Sequence, residues 1–456
     1  MESKHNKFNI SIYILIFIIS VIPLIYLPFR EGIGAYNIGL RKYEIGHLDN
    51  VYKIKIDILL YIEVILLFYM FYLLKNKCIK FTKDDSYISL TIFFTLLLVS
   101  TIMTKYKWIA IYGNPRRWEG LLAYIAYMLL FLFVINFVKK WNEYKLLIKS
   151  LLISAVIVSI YGFLQFLKVD LITNKSLLSL FHPRVYSTFG NPNFAASYIS
   201  MILSISLVFF IYSKNIKGKL LYGILNSIYF SFMIATGTRG VWLTFIIVIF
   251  LMFWVLRKKI IKNYKSILIL ILIFVILFGI IDYLQGGLIL DRISALFTDV
   301  DKIIKDNDTN MVGGGRMIIY RLTYEILFER PFFGSGLDTF KEVFPQEKFA
   351  EMTGITRLIV DKAHCEYLQL AVTVGFPALF AYLWFVGSIL KRGYKKLKRK
   401  NKYQVALYFA MLAYLIQATV NISVVGVAPV FWAIMGLNVV IIKFMDKDKE
   451  NLQEVT

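Results

Sequence analysis

Long apolar runs, separated by short polar segments, follow one another along nearly the whole chain. The core of a bilayer is about 30 Å thick, so a helix needs about 20 apolar residues to cross it, with its own backbone hydrogen bonds satisfied. Twelve runs meet this condition and predict an all-α polytopic membrane protein, with one membrane domain over residues 1–456. The predicted spans are 9–29, 55–74, 86–104, 120–138, 147–167, 194–213, 219–236, 240–256, 266–284, 366–390, 404–422 and 425–444.

One connection differs from the others, because residues 285–363 separate the ninth predicted span from the tenth. Long loops in compact proteins usually carry function. Within this loop, residues 316–330 repeat apolar side chains at helical spacing, between a run of glycines and Pro331. The pattern predicts an amphipathic helix that packs on the membrane domain.

Composition and charge agree with a membrane protein and give its expected orientation. The chain is 58% hydrophobic and 18% charged, with a mean hydropathy of +0.66, which excludes a soluble globule. The net charge of +23 comes from Lys and Arg between apolar runs. The segments that are cytoplasmic if the N-terminus is inside carry about 29 Lys and Arg, while the four short external connections carry about 13. We therefore expect a multi-pass protein of a bacterial plasma membrane, with both termini cytoplasmic and the large loop outside.

The strongest basic run, Lys391 to Lys402, is expected to lie beside anionic membrane lipid and not to bind nucleic acid. Its position immediately after an apolar run is typical of a stop-transfer signal. Nucleic acid is therefore excluded as a partner, and membrane lipid is expected.

Four short polar motifs lie at the predicted outer ends of spans, so they converge on one side of the membrane. They are GNPRRWEG (113–120), RVYSTFGNPN (184–193), TGTRGVW (236–242) and DKAHCEYL (361–368). We interpret the first as an interfacial turn, in which Trp118 anchors at the headgroups and Arg116 and Arg117 meet lipid phosphates, with a catalytic part as the alternative. The second contains strong turn chemistry before a span.

Arg239 and His364 stand out within these motifs. An arginine in a minimal link between two apolar spans is costly unless it meets an anion or a carboxylate, although snorkelling to the membrane surface is an alternative. A lone histidine is more often structural than catalytic. His364 is nevertheless predicted at the same membrane level as Arg184 and Arg239, while His182 is a weaker candidate.

The ordered motifs resemble the O-antigen ligase and O-antigen polymerase superfamily over about residues 113–383. The resemblance also includes GGGR (313–316), ERPFFGSGLDTF (329–340) and KAHCEYLQLAVTVGFPALFAYL (362–383). It implies an all-helical membrane glycosyltransferase with one large external loop and with its active site facing outside. Such an enzyme takes a glycan from a polyprenyl-pyrophosphate carrier, without metal or cofactor. One departure is Cys365, where relatives commonly have Asn after the histidine.

The resemblance also assigns roles to residues. Arg184 and Arg239 would bind the donor pyrophosphate, with Arg316 as a third match, and His364 would be the essential histidine. Arg116, Arg117 and Asn193 are accessory candidates. These roles suit the chemistry, because guanidinium groups bind phosphate oxygens in pairs, and a neutral imidazole can accept a proton from an acceptor hydroxyl. Without a carboxylate nucleophile, we expect a single inverting displacement.

A DxD pattern at Asp299 and Asp301 suggests metal and nucleotide-sugar binding, but it lies in the external loop, where we expect a solvated acidic turn. Scattered His and Cys residues offer no zinc spacing, so no metal is predicted.

The function inferred from the sequence is transfer of a glycan from a lipid-linked oligosaccharide to a glycan, glycolipid or protein acceptor. A transporter or flippase of lipid-linked glycans is the alternative, although such a protein should carry more charge within its spans. A non-catalytic scaffold would not explain the presence of Arg239 and His364. The sequence does not separate ligase from polymerase.

Overall fold

The computed structural model describes residues 10–26, 37–38, 41–42, 50–169, 181–305, 312–356, 358–398 and 401–453. The described chain is helical, apart from a two-residue antiparallel ladder that pairs β1 (Asn37–Ile38) with β2 (Arg41–Lys42). Its α-helices are α1 Ile10–Ile16, α2 Asn50–Lys75, α3 Ser86–Met103, α4 Lys107–Tyr112, α5 Leu121–Phe137, α6 Trp141–Phe166, α7 Pro192–Tyr212, α8 Ile216–Ala235, α9 Arg239–Lys262, α10 Tyr264–Leu284, α11 Leu288–Ile304, α12 Val312–Leu327, α13 Phe340–Val343, α14 Gln346–Thr353, α15 Glu366–Val374, α16 Phe376–Leu397, α17 Lys402–Gln417 and α18 Ala428–Gln453.

Eight of the described helices are long and apolar enough to cross a membrane, which makes the chain a multi-pass membrane protein. They are α2, α3, α6, α7, α8, α9, α10 and α18. Four of the twelve predicted spans coincide with helices that do not meet this condition of length and composition. These are 9–29, part of which lies outside the described residues, 120–138, 366–390 and 404–422. The number twelve therefore remains a prediction.

The predicted span 366–390 is not one continuous helix, because Gly375 breaks it into α15 and α16. Gly375 has a φ of +87°, and a Cβ there would lie 2.2 Å from the carbonyl oxygen of Phe332. The neighbouring loop satisfies the carbonyls that the break exposes, since Ser335 N donates to Val372 O and Gly336 N to Thr373 O. A broken helix is tolerated at membrane depth when protein satisfies its backbone in this way.

The helical bundle is built around α7, whose most apolar stretch is completely buried. α7 packs against α8, α9 and α17, while α18 packs against α5, α16 and α17. At the periphery, α10 has the highest hydropathy of the candidate spans and little of it is buried. Its exposed apolar side chains form a surface suited to lipid.

The segment between α10 and α15 forms a helical cap with its own small hydrophobic core. α12 coincides with the predicted amphipathic helix and buries Ile318, Ile319 and Leu322. These side chains pack with apolar residues from α13, α14 and α15. The cap is therefore anchored on the bundle beside the break at Gly375, which fixes its position over the ends of α7 and α9.

Candidate active site

A cavity of about 450 Å³ lies between the cap and the bundle, within the size range of ligand-binding clefts. Residues from several distant segments of the chain line it. The arginines are Arg184, Arg239, Arg292 and Arg316, and the other polar side chains are Asn193, Thr238, Tyr320 and His364. Among the described residues that line the cavity, none is acidic. Three of the four polar motifs thus meet there, together with the glycine run before Arg316.

Arg184 is held from several directions at the edge of the cavity. Its Nε donates to Thr236 O at 2.8 Å, and one terminal nitrogen donates to Asn193 Oδ1 at 3.2 Å and Thr238 Oγ1 at 3.3 Å. Gly237 has a φ of +60°, and a Cβ there would lie 3.1 Å from Arg184 Cγ. The glycine of the TGTRG motif therefore gives the Arg184 stem its space, and Asn193 orients the guanidinium.

Arg239 begins α9 and forms an ion pair with the cap. Its terminal nitrogen lies 3.0 Å from Asp299 Oδ2, and the same oxygen accepts a hydrogen bond from Gly313 N at 3.2 Å. The expectation of a solvated acidic turn at Asp299 and Asp301 was wrong, because both residues lie in helix α11. Only Asp301 faces solvent, paired with Lys305 on its own helix.

Arg316 and Arg292 reach the cavity from α12 and α11. Arg316 donates to Val420 O at 2.8 Å, which ties the cap to the loop after α17. Arg292 is not among the residues that the sequence singled out. In the sequence, Arg292 lies one helical turn before Leu296, on the same face of α11. That spacing indicates a functional face only once the cavity is known.

The four arginines perturb one another electrostatically. Burial and the charges of Arg292, Arg316 and Arg239 lower the pKa of Arg184 to about 9. Burial followed by repulsion from Arg239 and Arg316 also lowers the pKa of Arg292. Guanidinium groups remain charged at neutral pH. Their mutual repulsion therefore raises the free energy of the empty cavity, and a bound polyanion would reduce it.

His364 lies on the segment that leads into α15, and its backbone is strained at a φ of +53°. Tyr320 Oη donates to His364 O at 3.1 Å, and Ala363 N donates to Gln369 Oε1 at 2.8 Å. Left-handed geometry is rare for a residue with a side chain and clusters at functional sites. Burial, then the charge of Arg316, lowers the pKa of His364 to about 4, so its imidazole is neutral at pH 7.

A buried ion cluster supports the His364 segment. Lys362 Nζ lies 3.0 Å from Glu119 Oε2 and 3.0 Å from Asp338 Oδ1, and all three side chains are almost completely buried. Asp338 also accepts hydrogen bonds from the backbone nitrogens of Asn114 and Glu119. Burial lowers the pKa of Lys362, but the two carboxylates outweigh it and the net direction is upward. The cluster joins GNPRRWEG, GSGLDTF and DKAHCEYL.

The GNPRRWEG motif helps to hold the His364 segment in place and does not line the cavity. Arg117 makes two hydrogen bonds to Asp361, at 2.9 and 3.3 Å, and neither Arg116 nor Arg117 lines the cavity. Trp118 is buried, so the expectation of an interfacial anchor at the headgroups was wrong. His182 is exposed beside Arg184 and is not among the cavity residues. Within the described ranges, no three His, Cys, Asp or Glu side chains come together as a metal site.

Residues 224–383, from α8 to α16, match the model of a family described as O-antigen ligase. This segment is similar to the O-antigen ligase family. The similarity indicates a membrane enzyme of the ligase or polymerase type. The matched segment contains Arg239, Arg292, Arg316 and His364, while Arg184 lies before it. Comparison with curated proteins gives no match.

Proposed function

We propose that this protein, whose residues 224–383 match the O-antigen ligase family, transfers a glycan from a polyprenyl-pyrophosphate carrier to an acceptor hydroxyl outside the plasma membrane. One observation carries the proposal. Four arginines and a neutral histidine face a single cavity between the cap and the membrane bundle. A lipid-linked pyrophosphate would supply both the anion for the arginines and the lipid anchor for such a position.

The donor pyrophosphate would bind among Arg184, Arg239 and Arg316, with Arg292 as a fourth cation. Guanidinium groups bind phosphate oxygens in bidentate pairs and stabilise the charge that develops on a leaving pyrophosphate. The repulsion among these arginines supports this role, since an anion turns an unfavourable arrangement into a favourable one. Asn193 and Thr238 hold Arg184 in position for it.

His364 would act as the general base. The acceptor oxygen attacks the anomeric carbon, its proton passes to the imidazole, and the bond from the anomeric carbon to the pyrophosphate oxygen breaks. The electron pair leaves with the polyprenyl pyrophosphate. Bound pyrophosphate would offset the charge of Arg316 and so raise the proton affinity of the imidazole during the reaction. A single displacement inverts the anomeric configuration, and a product with retained configuration would contradict this mechanism.

The alternative function is translocation of lipid-linked glycans, which would also use cations at a membrane surface. Ligase and polymerase share the donor and differ in the acceptor, which is a foreign molecule for a ligase and another lipid-linked chain for a polymerase. The products of one reconstitution assay separate the three activities.

The test is reconstitution of the full-length protein in vesicles with lipid-linked oligosaccharide. We expect a new glycosidic bond, lost by about 10²-fold or more in His364→Ala and Arg239→Ala. Arg321→Ala is the matched control, since Arg321 is exposed on α12, five residues after Arg316. A product ladder identifies a polymerase, and one added unit a ligase. Carrier translocation without a new bond would refute the proposal.

A further inference from the structure

Helix α11 presents one face to the cavity. Arg292 and Leu296 line the cavity, and Asp299, three residues further on, contacts Arg239. The spacings of four and three residues place the three side chains on one side of the helix. The cap thus contributes both a cation and a carboxylate from a single helical face, about 10 Å apart along the helix axis.

A second face of α11, beside the one that carries Asp301 and Lys305, is apolar and exposed. Leu290, Phe297, Val300 and Ile304 are each more than half exposed. α11 begins four residues after the end of α10, a candidate membrane span with a largely exposed apolar surface. A helix with such a face, so close to the end of a span, belongs at the boundary between headgroups and acyl chains. The covering partner is therefore the lipid leaflet itself.

Asp299 occupies a position suited to an anionic ligand. Its Oδ2 accepts one hydrogen bond from the Arg239 guanidinium and one from Gly313 N, and both donors line the cavity. A phosphate oxygen uses the same two kinds of donor, a guanidinium and a backbone amide. The ion pair is part-exposed, so a ligand entering the cavity can reach it.

We infer that the Asp299 carboxylate fills an anion subsite at Arg239 and Gly313 in the empty enzyme, and that the donor pyrophosphate displaces it. This inference rests on the proposed function. α11 is then a lid between the leaflet and the cavity, closed by the Arg239–Asp299 pair. Displacement frees the carboxylate, while Arg292, on the same face, becomes a ligand of the incoming anion.

The lid sets donor affinity through competition. Removing the carboxylate should leave Arg239 free and strengthen anion binding. An ion pair of this exposure is worth up to about 1 kcal/mol, which corresponds to about a fivefold change in affinity. The effect should shrink at high salt, because screening weakens both the pair and its competitor.

The experiment measures binding of inorganic pyrophosphate to the purified full-length protein by calorimetry at fixed ionic strength. Asp299→Asn is compared with Asp301→Asn, a matched control on the same helix whose carboxylate pairs with Lys305 in solvent. We expect about fivefold tighter binding for Asp299→Asn and an unchanged affinity for Asp301→Asn. Asp299→Ser repeats the test if the amide variant is unstable on thermal unfolding.

The variant Arg239→Ala distinguishes a failure of the competition by Asp299 from a failure of the donor site itself. If wild-type binding depends on Arg239 but Asp299→Asn and Asp299→Ser bind no more tightly, the competition by Asp299 is overturned and the donor site stands. If wild-type pyrophosphate binding is absent or indifferent to Arg239→Ala, the donor site itself is overturned, and with it the proposed function.

Discussion

His364 lies where burial and positive charge both disfavour its protonated form. Its lowered pKa of about 4 means that the imidazole can accept a proton over the whole neutral range. The profile of kcat/KM against pH reports the free enzyme. We therefore expect an acid limb near pH 4 and a plateau above it, measured as initial rates of glycan transfer with donor and acceptor both below saturation.

The charge of Arg316 allows a test of the direction in which the pKa of His364 moves. Arg316→Gln removes a cation that opposes protonation of His364, so the pKa of His364 rises and the acid limb moves to higher pH. The conservative replacement Arg321→Gln, on the exposed side of α12, should leave the limb in place. An acid limb at the ordinary histidine value in the wild type, or a downward movement in Arg316→Gln, would contradict the assignment.

Gly237 determines the position of Arg184 by lacking a side chain. Its φ of +60° disfavours any Cβ, and an added Cβ would crowd the Arg184 stem at 3.1 Å. Gly237→Ala should cost about 1–2 kcal/mol of local strain and raise KM for the donor about tenfold by displacing the guanidinium. Gly279→Ala in α10 is the control, because nothing lies within 4 Å of its added Cβ. Equal donor KM values in both variants would exclude this role for Gly237.

At the scale of elements, Lys362 joins the segment between α4 and α5, the cap and the entry to α15. Lys362→Met leaves Glu119 and Asp338 buried without their cation, which typically costs about 3–5 kcal/mol. Thermal unfolding in detergent should show a large loss of stability. Lys348→Met breaks an exposed pair with Glu325 and should change stability by less than about 1 kcal/mol. Similar losses in the two variants would mean that the buried cluster does not stabilise the fold.

The apolar runs predicted most helices because a segment of about 20 apolar residues in lipid has few alternatives to a helix. The break at Gly375 does not appear in the hydropathy, which continues through it. Its local signal is Pro377 in the first turn of α16, a position where proline commonly starts a helix. The backbone donors at Ser335 and Gly336, about 40 residues earlier, satisfy the exposed carbonyls, and no local pattern contains that contact.

The candidate site could be predicted only in part from the sequence, because some of its residues are recognisable only from tertiary contacts. Arg184, Arg239 and His364 occur in short polar motifs beside spans, where a cation or a histidine stands out. Arg292 and Asp299 lie in an amphipathic helix, where a polar face ordinarily means solvent. Lys362 and Glu119 lie in two of the polar motifs, but their pairing depends on contacts between distant segments that no local pattern contains.

At the scale of the whole molecule, the cavity and one strongly basic segment lie at opposite ends of the same helix. α9 begins at Arg239 in the cavity and ends at Lys262, after Arg257, Lys258 and Lys259. Its 24 residues span about 36 Å, enough to cross a bilayer core. If basic segments stay in the cytoplasm, the cavity must open outside.

Native and introduced cysteines test this orientation. Cys78 is exposed in the connection between α2 and α3, which the charge pattern places inside, and Cys365 is buried. Lys305→Cys adds a thiol at an exposed position after α11. A membrane-impermeant maleimide should label the thiol at position 305 in intact cells and Cys78 only after permeabilisation, with Cys78→Ser as the background control. Labelling of Cys78 alone in intact cells would place the arginine cavity in the cytoplasm, where an external acceptor could not reach His364.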